Sequence, residues 1–212
     1  MKGGGVAAHL QTPRKADRPV LWIIAGPNGS GKSSLYNRTD IEGWGGSVWI
    51  INPDLLTASI VEHEGLPPDD ANLAAVQRIE HWLKASIDVY QTIGVETVLS
   101  SDKYRTLVAA AHDNGFEVWM IYVLLRTAAL QIERVALRVS EGGHDVPREK
   151  IVSRRERSFA QLLWFMGHVD QLLIFDNSTG EPELAAARPE DGGLQVYRPL
   201  PDDLVRILGP TS

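Results

Sequence analysis

Eight consecutive residues carry the densest chemical signal in the sequence: Gly26, Pro27, Asn28, Gly29, Ser30, Gly31, Lys32 and Ser33. They satisfy the spacing Gly-x-x-x-x-Gly-Lys-Ser/Thr, and each position answers a physical demand. The glycines allow a tight turn whose backbone N–H groups converge on anionic oxygens. A helix opening near Lys32 adds the positive end of its dipole. Lys32 can bridge the β- and γ-phosphates of ATP or GTP, and the Ser33 hydroxyl can ligate Mg²⁺. Ser34, next in the helix, belongs to the same expected nucleotide-binding set. The motif implies a nucleotide without naming a reaction.

Other residues narrow the chemistry. Asp54 follows the second apolar run, in Asn52-Pro53-Asp54. Ligands of parallel sheets collect beyond the carboxyl ends of the strands, so a carboxylate there could orient or deprotonate a hydroxyl. A Pro-Asp pair is also an ordinary turn or helix cap. Glu96 interrupts an apolar strand pattern and must sit at the strand mouth or be paired, because an unpaired buried charge is costly. Arg134, Arg138, Arg154, Arg155 and Arg157 straddle Gly142-Gly143-His144. Helix, glycine hinge and helix with inward guanidinium groups make a phosphate-clamping lid; the same arginines would serve a solvated helix face. The chain has no LSGGQ segment and no NKxD for guanine. Leu172–Asp176 has the look of a Walker B strand, yet Asn177-Ser178 follows instead of a catalytic Glu. Elimination leaves a small-molecule kinase.

These groups need a scaffold. Short apolar runs alternate with helical patterns, the mark of an α/β fold with a mainly parallel sheet. Strands are expected at Val20–Ile24, Ser47–Ile51, Val95–Leu99, Phe116–Leu125, Leu172–Phe175 and Leu194–Tyr197. Asp70 opens a long helix to about Thr92, with Ala74, Ile79, Leu83, Ile87 and Tyr90 on one stripe and Gly94 as its stop. Further helices are expected at Thr106–His112, Ala128–Val139, Pro147 to about Phe165, and Asp202–Leu208. Trp22, Trp49 and Trp119 fall in strand runs and read as core; Trp44 reads as a loop residue.

The chain of 212 residues suits one α/β domain with a lid. Residues 19–212 are expected to form it, with the lid around 134–158 and residues 1–18 as a disordered leader without a secretory signal. The formal charge of −6 argues against nucleic acid and anionic membrane as partners. No run is long enough to span a bilayer. With no cysteine there is no disulfide, thiolate zinc site or thiol nucleophile. A cytoplasmic location is expected.

Taken in chain order, several blocks carry a family resemblance. They are Ile24-Ala25 through the glycine loop to Ser33, Ile51-Asn52-Pro53-Asp54, Glu96-Thr97-Val98-Leu99-Ser100 and Ile132-Glu133-Arg134-Val135. Gly142 to Pro147, Arg154-Arg155-Glu156-Arg157-Ser158 and Asp176-Asn177-Ser178 complete the set. The sequence resembles the zeta-toxin-like P-loop kinases, whose best-known activity is phosphorylation of UDP-N-acetylglucosamine. The resemblance covers about Val20 to Thr179 and implies a P-loop kinase-like three-layer α/β sandwich with a helical lid, working with ATP and Mg²⁺. It places Asp54 on the carboxylate base, Glu96 on the residue that holds the acceptor, and Lys32 and Ser33 on the ATP and Mg²⁺ roles. Arg134 falls on the first phosphate-contacting arginine. His144 takes roughly the place of the second, so that work passes to Arg154 or Arg155. Thr97, Ser100 and Arg138 join the acceptor side, and Asn177 lies by the adenine. Val98 replaces the second Thr of the usual Glu-Thr-Thr-Leu-Ser. The expected function is Mg·ATP-dependent phosphoryl transfer to a sugar or nucleotide-sugar hydroxyl. Alternatives are a kinase of another nucleotide, dinucleotide cofactor or antibiotic, and a non-catalytic nucleotide-binding module acting on a protein partner. The sequence names no antitoxin.

Overall fold

In the computed structural model the described residues are 18–38, 48–141, 146–188 and 192–209, without the side chains of 36–38. The leader apart from Arg18, together with Trp44 and His144, lies outside them. The elements run β1 Val20–Ala25, α1 Lys32–Arg38, β2 Ile50–Ile51, α2 Pro53–Glu64, α3 Pro68–Asp88, β3 Ile93–Thr97 and α4 Arg105–Asp113. They continue with β4 Glu117–Leu124, α5 Ala128–Ser140, α6 Arg148–Met166, β5 Gln171–Asp176, β6 Glu183–Arg188, β7 Gln195–Val196 and α7 Asp202–Leu208.

The strands make one sheet in the order β2-β3-β1-β4-β5-β6-β7. The first five are parallel, while β6 and β7 run antiparallel. Helices cover both faces, so the inner strands are apolar throughout, and alternate residues serve opposite layers. Leu21, Ile23, Met120 and Tyr122 pack with α3, α4, α6 and α7. Val20, Trp22, Ile24, Trp119 and Ile121 pack with Leu35 of α1 on the other face. Trp22 and Trp119 are register partners across β1 and β4, edge-on with ring centroids 5.0 Å apart. Such a pair contributes about 1 kcal/mol beyond its buried area. The α/β sandwich with a mainly parallel sheet is thus the observed architecture. No described helix is long and apolar enough to cross a membrane.

Several local expectations are corrected. Among the described residues only Ile50–Ile51 forms the second strand, and Trp49 is more than half exposed, its ring 5.3 Å from that of Trp82. A helix absent from the sequence reading, α2, follows at once and packs through Ile60 on Ala71 and Ala75 of α3. The buried stripe of α3 is Ala71, Ala75, Ile79, Leu83 and Ile87, whereas Tyr90 is exposed beyond the helix end. Gly94 is no helix stop but a strand residue. A Cβ there would lie 2.3 Å from Ile50 Cδ1 and 3.0 Å from Trp22 Cβ, so its bareness lets three strands close up. The alanine-rich β6 has helical propensity that sheet pairing overrides: Ala185 and Ala186 are fully buried beside β5.

Candidate active site

The glycine loop joins the carboxyl end of β1 to α1, and both its ends are pinned. Gly26 N–H donates to Thr97 O at 3.2 Å. A Cβ on Gly26 would fall 2.1 Å from Val123 O, and one on Gly31 would fall 2.2 Å from Asn177 Nδ2. Both glycines also hold positive φ, +145° and +89°, so neither position accepts a side chain without displacing its neighbour. Lys32 is buried, and its Nζ donates to Gly26 O at 2.9 Å and Pro27 O at 3.2 Å. Burial pushes the Lys32 ammonium below its usual range; Glu96 and Asp54 oppose that shift, and Arg138 adds to it. Lys32, Glu96, Asp54 and Arg138 therefore share one electrostatic neighbourhood. Ser34 is exposed on α1.

Glu96 occupies the next-to-last position of β3, the strand beside β1, in register with Ile24. Ile93 and Val95 point into the α3 layer, so strand alternation turns Glu96 toward α1. Its Oε2 accepts from Ser33 Oγ at 2.7 Å and Asn52 Nδ2 at 2.9 Å, and its Oε1 lies 3.8 Å from Lys32 Nζ. The carboxylate expected to hold the acceptor thus touches the candidate metal ligand on the phosphate side. Thr97 Oγ1 accepts from Leu99 N at 3.0 Å, supporting Leu99 at φ +57° in the loop that leads to the half-buried Ser100.

Asp54 stands in the first turn of α2, exposed at the end of β2. The helix is capped by Asn52, whose Oδ1 accepts from Asp54 N at 2.9 Å and Leu55 N at 3.2 Å. The capping reading of the Pro-Asp pair is therefore met by Asn52, with Pro53 at the first helical position. Asn-Pro-Asp was the available signal for this helix and its cap.

Two helices bring arginines over the loop, and the structure separates them. Arg154 Nη1 reaches Asn28 Oδ1 at 3.4 Å, so this cation faces the glycine loop. Arg155, expected at the substrate, is buried and turned the other way. It forms a bidentate pair with Asp203 of α7 (2.6 and 3.0 Å), donates to Leu125 O and Arg126 O, and lies over the Phe159 ring. Neighbours on a helix differ by about 100° in direction, so only one of the two can point at the loop. Arg134 Nη2 donates to Asn177 O at 2.7 Å and Ser178 O at 3.1 Å, which holds the α5 arginine on the turn after β5. Arg138, one turn on, is half-buried on the Lys32 side.

That turn is itself fastened to the loop. Asn177 Nδ2 donates to Ser30 O at 2.9 Å. Asp176 is separated from β1 by β4, so it organises the turn and does not reach Ser33. Burial acts to raise its pKa, but hydrogen bonds from Ser178 and Arg126 outweigh that and hold it below the usual carboxylate range. Beyond the end of β3, Ser158 of α6 donates to Val98 O at 2.7 Å. Its single proton being so used, Tyr122 OH donates to Ser158 Oγ, also at 2.7 Å. Ser158 ties the arginine helix to the loop after β3, a link invisible to motif spacing.

The arrangement brings together a glycine loop, a buried lysine, a hydroxyl–carboxylate pair, an arginine facing the loop and an exposed carboxylate beyond β2, groups of the kind that phosphoryl transfer uses. Comparison with known proteins bears on the fold and the family. The chain is 27% identical over 148 residues to an uncharacterized protein of Haemophilus influenzae, which covers 65% of this chain and 98% of that one. A chain of the AvrRxo1-ORF1:AvrRxo1-ORF2 complex with ATP has a TM-score of 0.64 at 18% identity, over 85% of this chain and 61% of that one. A chain from the PezAT chromosomal toxin-antitoxin system of Streptococcus pneumoniae has a TM-score of 0.60 at 14% identity, over 80% and 72%. The present chain thus spans less than two thirds of the matched AvrRxo1 chain. The sequence model described as Zeta toxin matches residues 6–179, and on that match the chain belongs to the zeta toxin family.

Proposed function

We propose that the protein is a Mg·ATP-dependent kinase that phosphorylates a hydroxyl of a sugar or nucleotide-sugar, with UDP-N-acetylglucosamine as the leading acceptor. The observation that carries the reading is the cluster of Lys32, Ser33 and Glu96 on the glycine loop, with the Asp54 carboxylate in electrostatic reach of Lys32. The donor set suits a hard cation. Ser33 and Glu96 offer oxygen ligands 2.7 Å apart, and magnesium at such sites takes its remaining ligands from phosphates and water. When bound there, the ion would neutralise charge on the β- and γ-phosphates.

The chain's own residues supply the rest. Backbone N–H groups of the loop beyond Pro27, in residues 28–33, hold the phosphates, and Lys32 exchanges its carbonyl partners for phosphate oxygens, which are stronger acceptors. Asp54 orients the acceptor hydroxyl. As the acceptor oxygen bonds to Pγ, the bond from Pγ to the bridging oxygen breaks, ADP departs and the hydroxyl proton passes to Asp54. Arg154 neutralises charge on the transferring group from above. Incubation of UDP-N-acetylglucosamine with the protein and Mg·ATP, followed by mass spectrometry, tests this beside Lys32→Ala and Asp54→Asn. The expected product is heavier by one phosphoryl group and absent with both variants; turnover unchanged in Asp54→Asn overturns the assignment. Because the PezAT neighbour is a toxin-antitoxin system, an antitoxin protein is the proposed partner, to be sought by copurification with products of adjacent open reading frames.

A further inference from the structure

We propose that Asn52 is a positioning residue that makes metal-nucleotide binding and the placement of Asp54 a single coupled event; this rests on the phosphoryl-transfer reading above. One amide serves two elements. Its Oδ1 accepts from the Asp54 and Leu55 N–H groups, at 2.9 and 3.2 Å, and so fixes the first turn of α2. Its Nδ2 donates to Glu96 Oε2 at 2.9 Å and lies 3.4 Å from Ser33 Oγ. Glu96 Oε2 also accepts the hydrogen bond that Ser33 Oγ donates. The orientation of the amide admits no exchange of its ends: backbone N–H groups require the oxygen, and a carboxylate requires the NH₂.

The amide is planar, so its oxygen and nitrogen move as one body. Any change in Ser33 and Glu96 as they take up a metal-nucleotide therefore tilts the plane and is felt at the cap of the helix that bears Asp54. On the strand side of that helix end, β2 consists of Ile50 and Ile51. Gln would carry the same amide one methylene too far, and Ser or Thr would keep the cap on a side chain too short to bridge to Glu96 as well.

The test reads hydrogen exchange at the Asp54 and Leu55 amides, with and without Mg²⁺, on the protein saturated with the β,γ-imido analogue of ATP. In the wild type Mg²⁺ should slow both amides about tenfold, the scale of one hydrogen bond to a charged group. Asn52→Ser retains the cap and should still bind the analogue, with the Mg²⁺ effect falling below about twofold. Asn52→Thr, a second variant that keeps the cap, guards against misfolding and should behave alike. No Mg²⁺ effect in the wild type, or a full effect in both variants, overturns the proposal. Coupling in a protein that phosphorylates no acceptor would leave this inference standing and remove the kinase reading. Transfer without coupling would do the reverse.

Discussion

Replacing Arg154 and Arg155 one at a time by methionine tests the division of labour between adjacent residues on α6. In Arg155→Met the buried Leu125 carbonyl loses its donor, a cost of about 1–3 kcal/mol. The contact of the guanidinium with the Phe159 ring, 4.5 Å from its centroid, is worth about 1 kcal/mol. Asp203 is 29% exposed and regains water, so its pairing adds little net loss. The sum is about 3 kcal/mol, which for a chain of this size lowers Tm by roughly 6–12 °C. Arg154→Met removes one long hydrogen bond from a half-buried side chain and should shift Tm by no more than about 2 °C. Turnover of Mg·ATP should follow the opposite order. Arg154→Met should lose at least about 10³-fold, the low side for a transition-state arginine, while Arg155→Met at permissive temperature stays within about threefold. Thermal melts beside steady-state turnover decide it. Arg155→Met melting with the wild type, or Arg154→Met turning over normally, refutes the reasoning.

Two further outcomes follow from the loop and the turn beneath it. Gly31→Ala places a methyl 2.2 Å from Asn177 Nδ2 at φ +89°; strain and the lost bond to Ser30 O together cost about 2–3 kcal/mol. A melt should show this with nucleotide affinity falling too, and unchanged affinity would mean the turn after β5 does not shape the loop. Asp176 has its folded pKa depressed, so its contribution is full above the unfolded carboxylate range and is lost as pH falls through the folded value. Unfolding by denaturant from neutral pH into that acidic range should show a shallower loss of stability for Asp176→Asn than for the wild type, and identical slopes would contradict the assignment.

Strands with buried runs and the glycine loop were legible because their signals are local: a run of apolar residues must be covered on both faces, and only glycine tolerates the loop's backbone. The sequence therefore determined the class of fold, the place of the glycine loop between β1 and α1, and the ends of α7. It misjudged Gly94 and Trp49 and passed over β6 because each depends on a neighbour distant in the chain: Ile50 and Trp22 for the glycine, β5 for the alanine-rich strand, an exposed sheet edge for the tryptophan. In the site, residue types could nominate Glu96 and several arginines but could not orient them. Whether Glu96 meets the acceptor or Ser33 is set by strand alternation and by β3 lying next to β1. That Arg154 faces Asn28 while Arg155 clamps α7 depends on how α6 is rotated, which Ser158 and the apolar face of the helix fix through Val98 and Tyr122. Side-chain identity is written locally, whereas direction comes from packing across the chain, and only the tertiary structure holds that information.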